Sequence, residues 1–218
     1  MVKFLDRRDA GRQLAEKLAS YADDPGVLVL GLPRGGVPVA YEVACSLHAQ
    51  LDVFVVRKLG VPGHRELAMG AIASGGMRVL NSDVIKALGI GPSAVESVAA
   101  AELLELVRQQ RTYRGNAPPP KLSGRTVIVV DDGLATGSTM RAVVGTLRQS
   151  NPAGIIVAVP VAAAETARRI RQEADGVICL CEPPDFHAVS TWYDDFSQTS
   201  DEEVRKFLAS ASHAAPSR

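Results

Sequence analysis

The stretch of sequence that decides the fold is VIVVDDGLATGST, residues 127–139. Four β-branched residues are followed by Asp131 and Asp132, by a loop of small and hydroxyl-bearing residues, and then by apolar residues at helical spacing. An uninterrupted apolar run of this length is typical of a strand that is covered on both faces, as in a parallel sheet. The stretch therefore predicts a buried strand that ends in two acids and leads through a tight loop into a helix.

Four other apolar runs of the same kind predict four more strands. They lie at residues 27–30, 53–56, 155–159 and 177–180, and apolar residues at helical spacing fill residues 37–47, 140–147 and 163–174. Strands that alternate with helices predict an α/β fold: an open, mostly parallel five-stranded sheet with helices on both faces. One further helix is expected to begin near Asp6 and to pack on the edge of the sheet, and a long one to run from Pro92 to about Arg114.

The composition narrows the class of protein. Among 218 residues, 46% are hydrophobic and 22% are charged, which is typical of a globular domain. The 24 basic and 24 acidic residues cancel, so broad electrostatic binding to nucleic acid is not expected. The longest nearly apolar run, residues 154–164, is half of the roughly 20 residues that cross a bilayer, so no membrane partner is expected. Three cysteines and no signal-peptide core predict a cytoplasmic protein with buried, reduced thiols.

The loop that follows the strand at residues 127–130 and the two acids could bind an anion. Its residues are Ala135, Thr136, Gly137, Ser138 and Thr139, and they lie where a helix begins, so unpaired backbone N–H groups and the helix dipole favour phosphate. The two acids beside the loop would repel an anion unless they face hydroxyl groups or a metal ion. A ribose diol and Mg²⁺ are natural partners for them.

Residues 127–139 resemble the signature that binds 5-phosphoribosyl 1-pyrophosphate (PRPP) in the type I phosphoribosyltransferases. The resemblance implies that Asp131 and Asp132 hold the ribose hydroxyls and that residues 135–139 hold the 5′-phosphate. It also implies Mg²⁺ as the cofactor, which the two acids would meet mainly through the ligand or water.

A second segment, GLPRGG at residues 31–36, resembles the pyrophosphate loop of the same family. The resemblance implies contacts from Arg34, Gly35 and Gly36 to the leaving group, and a cis peptide between Pro33 and Arg34. A plain turn between a strand and a helix would explain the two glycines alone.

A third segment, Val56-Arg57-Lys58, resembles the basic pair that precedes the mobile catalytic loop of several family members. The resemblance implies that Lys58 and Arg57 face the pyrophosphate and that residues 59–69 form the loop. His64 in that segment suits a solvated loop as well as it suits a role in catalysis.

The implied reaction is the transfer of the 5-phosphoribosyl group from PRPP to an acceptor. Ala135 stands where the salvage enzymes for 6-oxopurines carry an Asp base, which argues against that class of acceptor. A nucleobase-like acceptor would lie under a small irregular hood, residues 183–208. The hood holds a dense cluster of aromatic side chains in a chain with only 5% aromatic residues, namely Phe186, His187, Trp192, Tyr193 and Phe196. These could stack on a base or could pin the segment to the domain, and both interpretations stay open.

The expected layout is a single domain over residues 1–208, with its core at about 25–182, and a disordered tail or linker at residues 209–218. A fusion partner after residue 209 and a homodimer both stay open. The alternative to an enzyme is a module that senses PRPP or a nucleotide without turnover, on its own or within a larger protein.

Overall fold

The computed structural model describes residues 3–214, and the side chains of these residues except those of 65, 66 and 212–214. The strands are β1 (Val27–Gly31), β2 (Gln50–Val53), β3 (Val56–Val61), β4 (His64–Ala73), β5 (Arg78–Leu80), β6 (Thr126–Val130), β7 (Gly154–Val161) and β8 (Gly176–Cys181). The helices are α1 (Arg7–Lys17), α2 (Gly36–Leu47), α3 (Ser82–Ala87), α4 (Pro92–Arg114), α5 (Ser138–Arg148), α6 (Ala164–Ile170) and α7 (Asp201–Ala214).

The main sheet confirms the predicted fold class. Its five strands are all parallel and lie in the order β2-β1-β6-β7-β8. The chain moves from β1 out to β2 and then returns to the other side of β1, so the strand order reverses between β1 and β6. Open α/β sheets bind ligands at the carboxyl ends of the strands beside such a reversal.

Helices cover both faces of the main sheet, as predicted. On one face α5 and α6 pack through buried residues such as Met140, Leu147 and Ile170. On the other face α1 and α2 pack against the strands, and Leu14 and Leu18 of α1 are fully buried there. Helix α1 also contacts β7 and β8, the strand at one edge of the sheet, so it packs on the sheet face beside the edge where it was expected.

The strand predicted at residues 53–56 is misplaced. β2 ends at Val53, and Val56 begins β3 in a second, antiparallel sheet with the order β3-β4-β5. Between them Phe54 is buried in the core of the main sheet and Val55 in the core beneath α4. A chain that passes from one core into another is apolar throughout, so hydropathy alone cannot show that two strands meet there.

Residues 59–69, expected as a loop, form most of a β-hairpin. β3 pairs with β4 from Val56 opposite Ala73 to Val61 opposite His64, and the pairing shifts register on both sides of Gly60. Leu59 is buried under α4, which gives the hairpin an inner face. The mobility of this segment stays a prediction.

The last described helix runs further than expected. A disordered tail or linker is expected from residue 209 onward, but α7 continues to Ala214, because the alanines in this stretch are strong helix formers. Val204 is buried and the Phe207 ring lies 5.0 Å from that of Tyr41, so α7 is fastened to the domain. Residues 209–214 are therefore helical, and a linker in this region stays a prediction. Its remaining part, residues 215–218, lies outside the described residues.

The aromatic residues of the hood divide into two groups. Trp192 and Tyr193 are buried, and the Phe4 N–H donates to the Trp192 carbonyl at 2.9 Å, so this pair pins the segment to the N-terminus. Phe186 and Phe196 are half-buried, and His187 is exposed.

Two further expectations concern membranes and thiols. Within residues 3–214, no helix is both long and apolar enough to cross a membrane. The three cysteines are half-buried and unpaired, and burial raises the pKa of Cys179 to about 12. A thiol with so high a pKa stays protonated at neutral pH.

A buried ion pair ties the end of α4 to the edge of the main sheet. Arg114 Nε lies 3.1 Å from Asp52 Oδ1, and the two side chains are only 7% and 12% exposed. Burial raises the pKa of Asp52, and the guanidinium of Arg114 opposes that shift. Removing the arginine would leave a buried carboxylate without a countercharge.

We expect Arg114→Met to lower the free energy of unfolding by about 3–5 kcal/mol near neutral pH. The loss should be smaller near pH 5. Without Arg114 the folded-state pKa of Asp52 rises further, so the destabilisation grows as pH rises above the unfolded-state value. Urea denaturation at both pH values measures this. Arg148→Met is the control, because the pair of Arg148 with Asp175 is more than 40% exposed and should be worth at most about 1 kcal/mol. Equal losses for the two variants would contradict the account.

Candidate functional site

The site begins where the loops after β1 and β6 touch. A Cβ atom on Gly35 would lie 2.0 Å from Asp132 Oδ2, and one on Gly36 would lie 2.7 Å from the Val130 carbonyl oxygen. Only glycine permits so close an approach of backbone to the two acids. The peptide between Pro33 and Arg34 is cis, which confirms that expectation.

The two acids are held in place by the protein. The Asp132 N–H donates to Asp131 Oδ1 at 2.9 Å, and the Tyr193 hydroxyl donates to the Asp132 carbonyl at 2.6 Å. Burial, followed by the charge of Asp132, raises the pKa of Asp131 well above its usual range. Burial also raises the pKa of Asp132, and Arg7 opposes it by donating from Nε to Asp132 Oδ2 at 2.8 Å. Half-buried acids with perturbed pKa values that lie side by side at a strand end are typical of ligand sites.

The loop after the acids presents its small residues to solvent. Ala135, Thr136, Ser138 and Thr139 are exposed, whereas Gly137 is buried. The Thr166 hydroxyl of α6 donates to the Ala135 carbonyl at 2.6 Å and so fixes the start of the loop. Helix α5 begins at Ser138, and its first N–H groups have no carbonyl of an earlier turn to bond. An exposed helix start with hydroxyl groups is a ready anion site.

A polar cleft of about 370 Å³ adjoins the loop that follows β1. Three guanidinium groups line it, contributed by Arg34 from that loop, Arg57 from β3 and Arg108 from α4. Thr139 and Asp201 also line it. The cleft is therefore rich in guanidinium groups, and the loop at residues 135–139 contributes Thr139 to its wall.

The arginines of the cleft already have carboxylate neighbours. Arg57 Nε donates to Glu102 at 2.6 Å, and Arg34 Nη1 lies 3.8 Å from Asp201 Oδ1. Asp201 also accepts from the Tyr113 hydroxyl at 2.8 Å, and burial raises the pKa of Tyr113 to about 12. The cleft is thus charged but electrostatically balanced.

The two basic residues of β3 differ in their relation to the cleft, and a contact of either one with pyrophosphate stays a prediction. Arg57 lines the cleft, whereas Lys58 is exposed and is not among the residues that line it. Successive side chains of a strand point to opposite faces, so both residues cannot face the same cleft from a regular strand.

Sequence reasoning missed two arginines of this region. Arg108 lies within a long helix, and no motif marks it. Arg7 lies at the start of α1, 125 positions away from the acid that it contacts. An acidic cap at Asp6 shows where the helix begins but gives no sign of what Arg7 would touch.

No ready-made metal site accompanies these residues. Within the described part of the chain, no three His, Cys, Asp or Glu side chains come together in a way that could hold a metal ion. Any role of Asp131 and Asp132 toward a metal would therefore be shared with a ligand or water.

The comparison with family models decides the classification. Residues 4–195 match the model of the phosphoribosyl transferase domain. The chain belongs to the phosphoribosyltransferase family. The match begins at the N-terminal segment that holds Phe4 and extends through the hood to Asp195.

Known relatives agree with this family. The chain is 48% identical over 208 residues, 95% of its length, to a protein of Mycobacterium tuberculosis that is provisionally named a phosphoribosyl transferase, as found in two strains. The match covers 47% of that protein, so the chain spans about half the length of the curated relatives it matches. Among solved structures, TT1426 from Thermus thermophilus is 42% identical, covers 95% of this chain and 98% of its own, and has a TM-score of 0.86.

We expect Gly35→Ala to lower the free energy of unfolding by about 1–3 kcal/mol, because the new methyl group would force Asp132 or the loop to move. Thermal and urea denaturation measure this. Gly145→Ala is the matched control. It lies inside α5 with its nearest foreign atom 3.7 Å from the new Cβ, so it should be neutral or stabilise by up to about 1 kcal/mol. A Gly35→Ala protein as stable as the control would show that the two loops are not closely packed.

Proposed function

We propose that the chain binds PRPP as its Mg²⁺ complex and transfers the 5-phosphoribosyl group to a nucleobase-like acceptor, with release of pyrophosphate. One observation carries the proposal. An exposed phosphate-type helix start, a pair of acids and an arginine-lined cleft meet beside the strand-order reversal of a phosphoribosyltransferase fold. These three features match the three parts of PRPP.

The 5′-phosphate would lie on residues 135–139. The backbone N–H groups at the start of α5 and the hydroxyls of Thr136, Ser138 and Thr139 can donate to its oxygens. The hydroxyl oxygens of Thr136 and Ser138 lie 3.3 Å apart, close enough to bind one phosphate group together. The dipole of α5 adds a favourable field at this end.

The ribose would lie on Asp131 and Asp132. A carboxylate accepts hydrogen bonds from both hydroxyls of a diol, and bonds to a charged acceptor are stronger than neutral ones. A bound diol would also favour two half-buried acids side by side, since each hydroxyl stabilises the ionised form that burial disfavours.

The pyrophosphate would lie in the cleft. Arg34 and Arg57 line it, and Gly35 and Gly36 directly follow Arg34 in the same loop. Arg108 supplies a further positive charge from α4. A polyanion would draw these guanidiniums from their present carboxylate partners, because several phosphate oxygens replace a single pair.

Mg²⁺ would enter as part of the substrate. Since the described residues hold no metal ligand cluster, the ion would be bound mainly by pyrophosphate and ribose oxygens, with Asp131 and Asp132 in contact through the ligand or water. Its role would be to neutralise the leaving group.

The chemistry asks for positioning more than for covalent participation. The bond between C1 of the ribose and the pyrophosphate oxygen breaks, a nitrogen of the acceptor bonds to C1, and the acceptor loses a proton to solvent. The transition state has the character of an oxocarbenium ion. Water would capture this ion, so the site must close, and the hairpin of β3 and β4 is the candidate lid.

Among the aromatic rings of the hood, the half-buried Phe186 remains the one that could stack on an acceptor, because the Phe196 ring contacts Arg7 and Tyr193. Trp192 and Tyr193 are occupied in fastening the N-terminus. Ala135 offers no side-chain base, which argues against 6-oxopurines as acceptors.

A second candidate function is the sensing of PRPP without turnover. The position of Lys58 favours it, because the lysine expected at the leaving group does not line the cleft. Release of pyrophosphate from PRPP and Mg²⁺ in the presence of a panel of nucleobases separates the two functions. Release with one base supports the enzyme, and tight PRPP binding with no release for any base supports the sensor.

We expect Asp131→Ala to weaken PRPP binding by about tenfold or more, because a hydrogen bond to a charged group contributes roughly 1.5–3 kcal/mol. Binding of inorganic phosphate should change little, because the loop at residues 135–139 is intact. Calorimetric titration with both ligands measures this, and Asp83→Ala, on the exposed start of α3, is the control. Equal weakening of both ligands would place the ribose elsewhere.

A further inference from the structure

Arg7 is the one charged side chain that joins the N-terminal helix, the hood and the acid pair within the described residues. Its Nε donates to Asp132 Oδ2 at 2.8 Å and its Nη1 donates to the Ser197 carbonyl at 2.7 Å. Its guanidinium carbon lies 3.8 Å from the centre of the Phe196 ring. The side chain is only 10% exposed.

The packing of α1 explains how Arg7 comes to this place. Asp6 caps the helix by accepting from the Asp9 N–H at 2.7 Å, which fixes the first turn. Further along, a Cβ on Gly11 would lie 2.7 Å from the Val39 carbonyl oxygen, so α1 packs directly against the backbone of α2. Helix α2 starts just after Gly35, and Arg7 is thereby brought beside the loop that touches the acids.

The contact of Arg7 with Asp132 sets the charge and the orientation of the Asp132 carboxylate. A buried carboxylate with no countercharge would take up a proton and lose its strength as an acceptor. Arg7 supplies the countercharge and engages Oδ2. Because Arg7 occupies Oδ2, we expect Oδ1 to be the oxygen that accepts from a ligand hydroxyl.

We propose that Arg7 is a positioning residue for the ribose site, acting through Asp132 without touching the substrate. Arg7 keeps the Asp132 carboxylate charged and fixes its orientation. Because the Phe196 ring and the Ser197 carbonyl hold the Arg7 guanidinium, the affinity for ribose also depends on the hood. The inference rests on the proposed function, since it assumes that Asp132 meets a ribose hydroxyl.

A purely structural clip would behave differently. If Arg7 served only to hold the fold together, its substitution would lower the free energy of unfolding. The affinities for ribose and phosphate ligands would then fall equally or stay unchanged. A positioning residue changes the preference between them, because only ribose reaches Asp132.

The test compares wild type, Arg7→Gln, Arg7→Lys and Arg8→Gln in calorimetric titrations with ribose 5-phosphate and with inorganic phosphate, each with a melting curve. Arg8 is the matched control, because it lies next along α1 and is 54% exposed in its pair with Glu42. We expect Arg7→Gln to weaken ribose 5-phosphate by about tenfold and inorganic phosphate by less than about twofold. Arg7→Lys should recover part of the loss, since it keeps the charge but not both contacts, and Arg8→Gln should match wild type.

A folded Arg7→Gln protein that keeps the wild-type preference for ribose 5-phosphate would overturn the inference alone. A wild type with no preference for ribose 5-phosphate over phosphate would overturn the proposed function and the inference with it. If Arg7→Gln does not fold, Phe196→Leu decides. It removes the ring behind the guanidinium, and it should weaken ribose 5-phosphate severalfold with phosphate unchanged; an unchanged ribose affinity would overturn the inference.

Discussion

The whole site depends on the close approach of two glycines to two aspartates. The loop after β1 can lie against the loop after β6 only because Gly35 and Gly36 have no side chains, and a methyl group on Gly35 would overlap a carboxylate oxygen of Asp132. The parallel pairing of β1 with β6 brings both loops to the same edge of the sheet. From this contact follow the burial of the acids, their raised pKa values and their need for partners.

Three outer elements supply those partners. Helix α1 brings the positive charge of Arg7, and the hood brings the hydroxyl of Tyr193. Helix α4 crosses the other side, where it adds Arg108 to the cleft and is anchored by the buried pair of Arg114 with Asp52. The parts of the chain that lie outside the parallel sheet are therefore the parts that complete the site.

The sequence was sufficient for the sheet and for the loops at its edge, because both depend on local patterns. The apolar run before Asp131 predicts a buried strand, and β6 confirms it. The alternation of strands and helices predicts the fold class, and the five-stranded parallel sheet confirms it. The apolar run at residues 53–56 led to a wrong strand prediction. Residues buried in two different cores are as apolar as residues buried in one, so the pattern does not show where β2 ends. The register of β3 determines whether Arg57 or Lys58 faces the cleft. The local sequence pattern does not predict where β3 begins. The contact of Arg7 with Asp132 is set by tertiary packing alone.

The central claim is that the acid pair recognises a ribose diol next to a bound phosphate. The most direct measurement compares the affinities of the unaltered protein for ribose 5-phosphate and for 2-deoxyribose 5-phosphate. The two ligands share the phosphate and differ by one hydroxyl. Because a hydrogen bond to a charged acceptor contributes roughly 1.5–3 kcal/mol, the account predicts that the ribose ligand binds about tenfold more tightly or better. Equal affinity for the two ligands would contradict it.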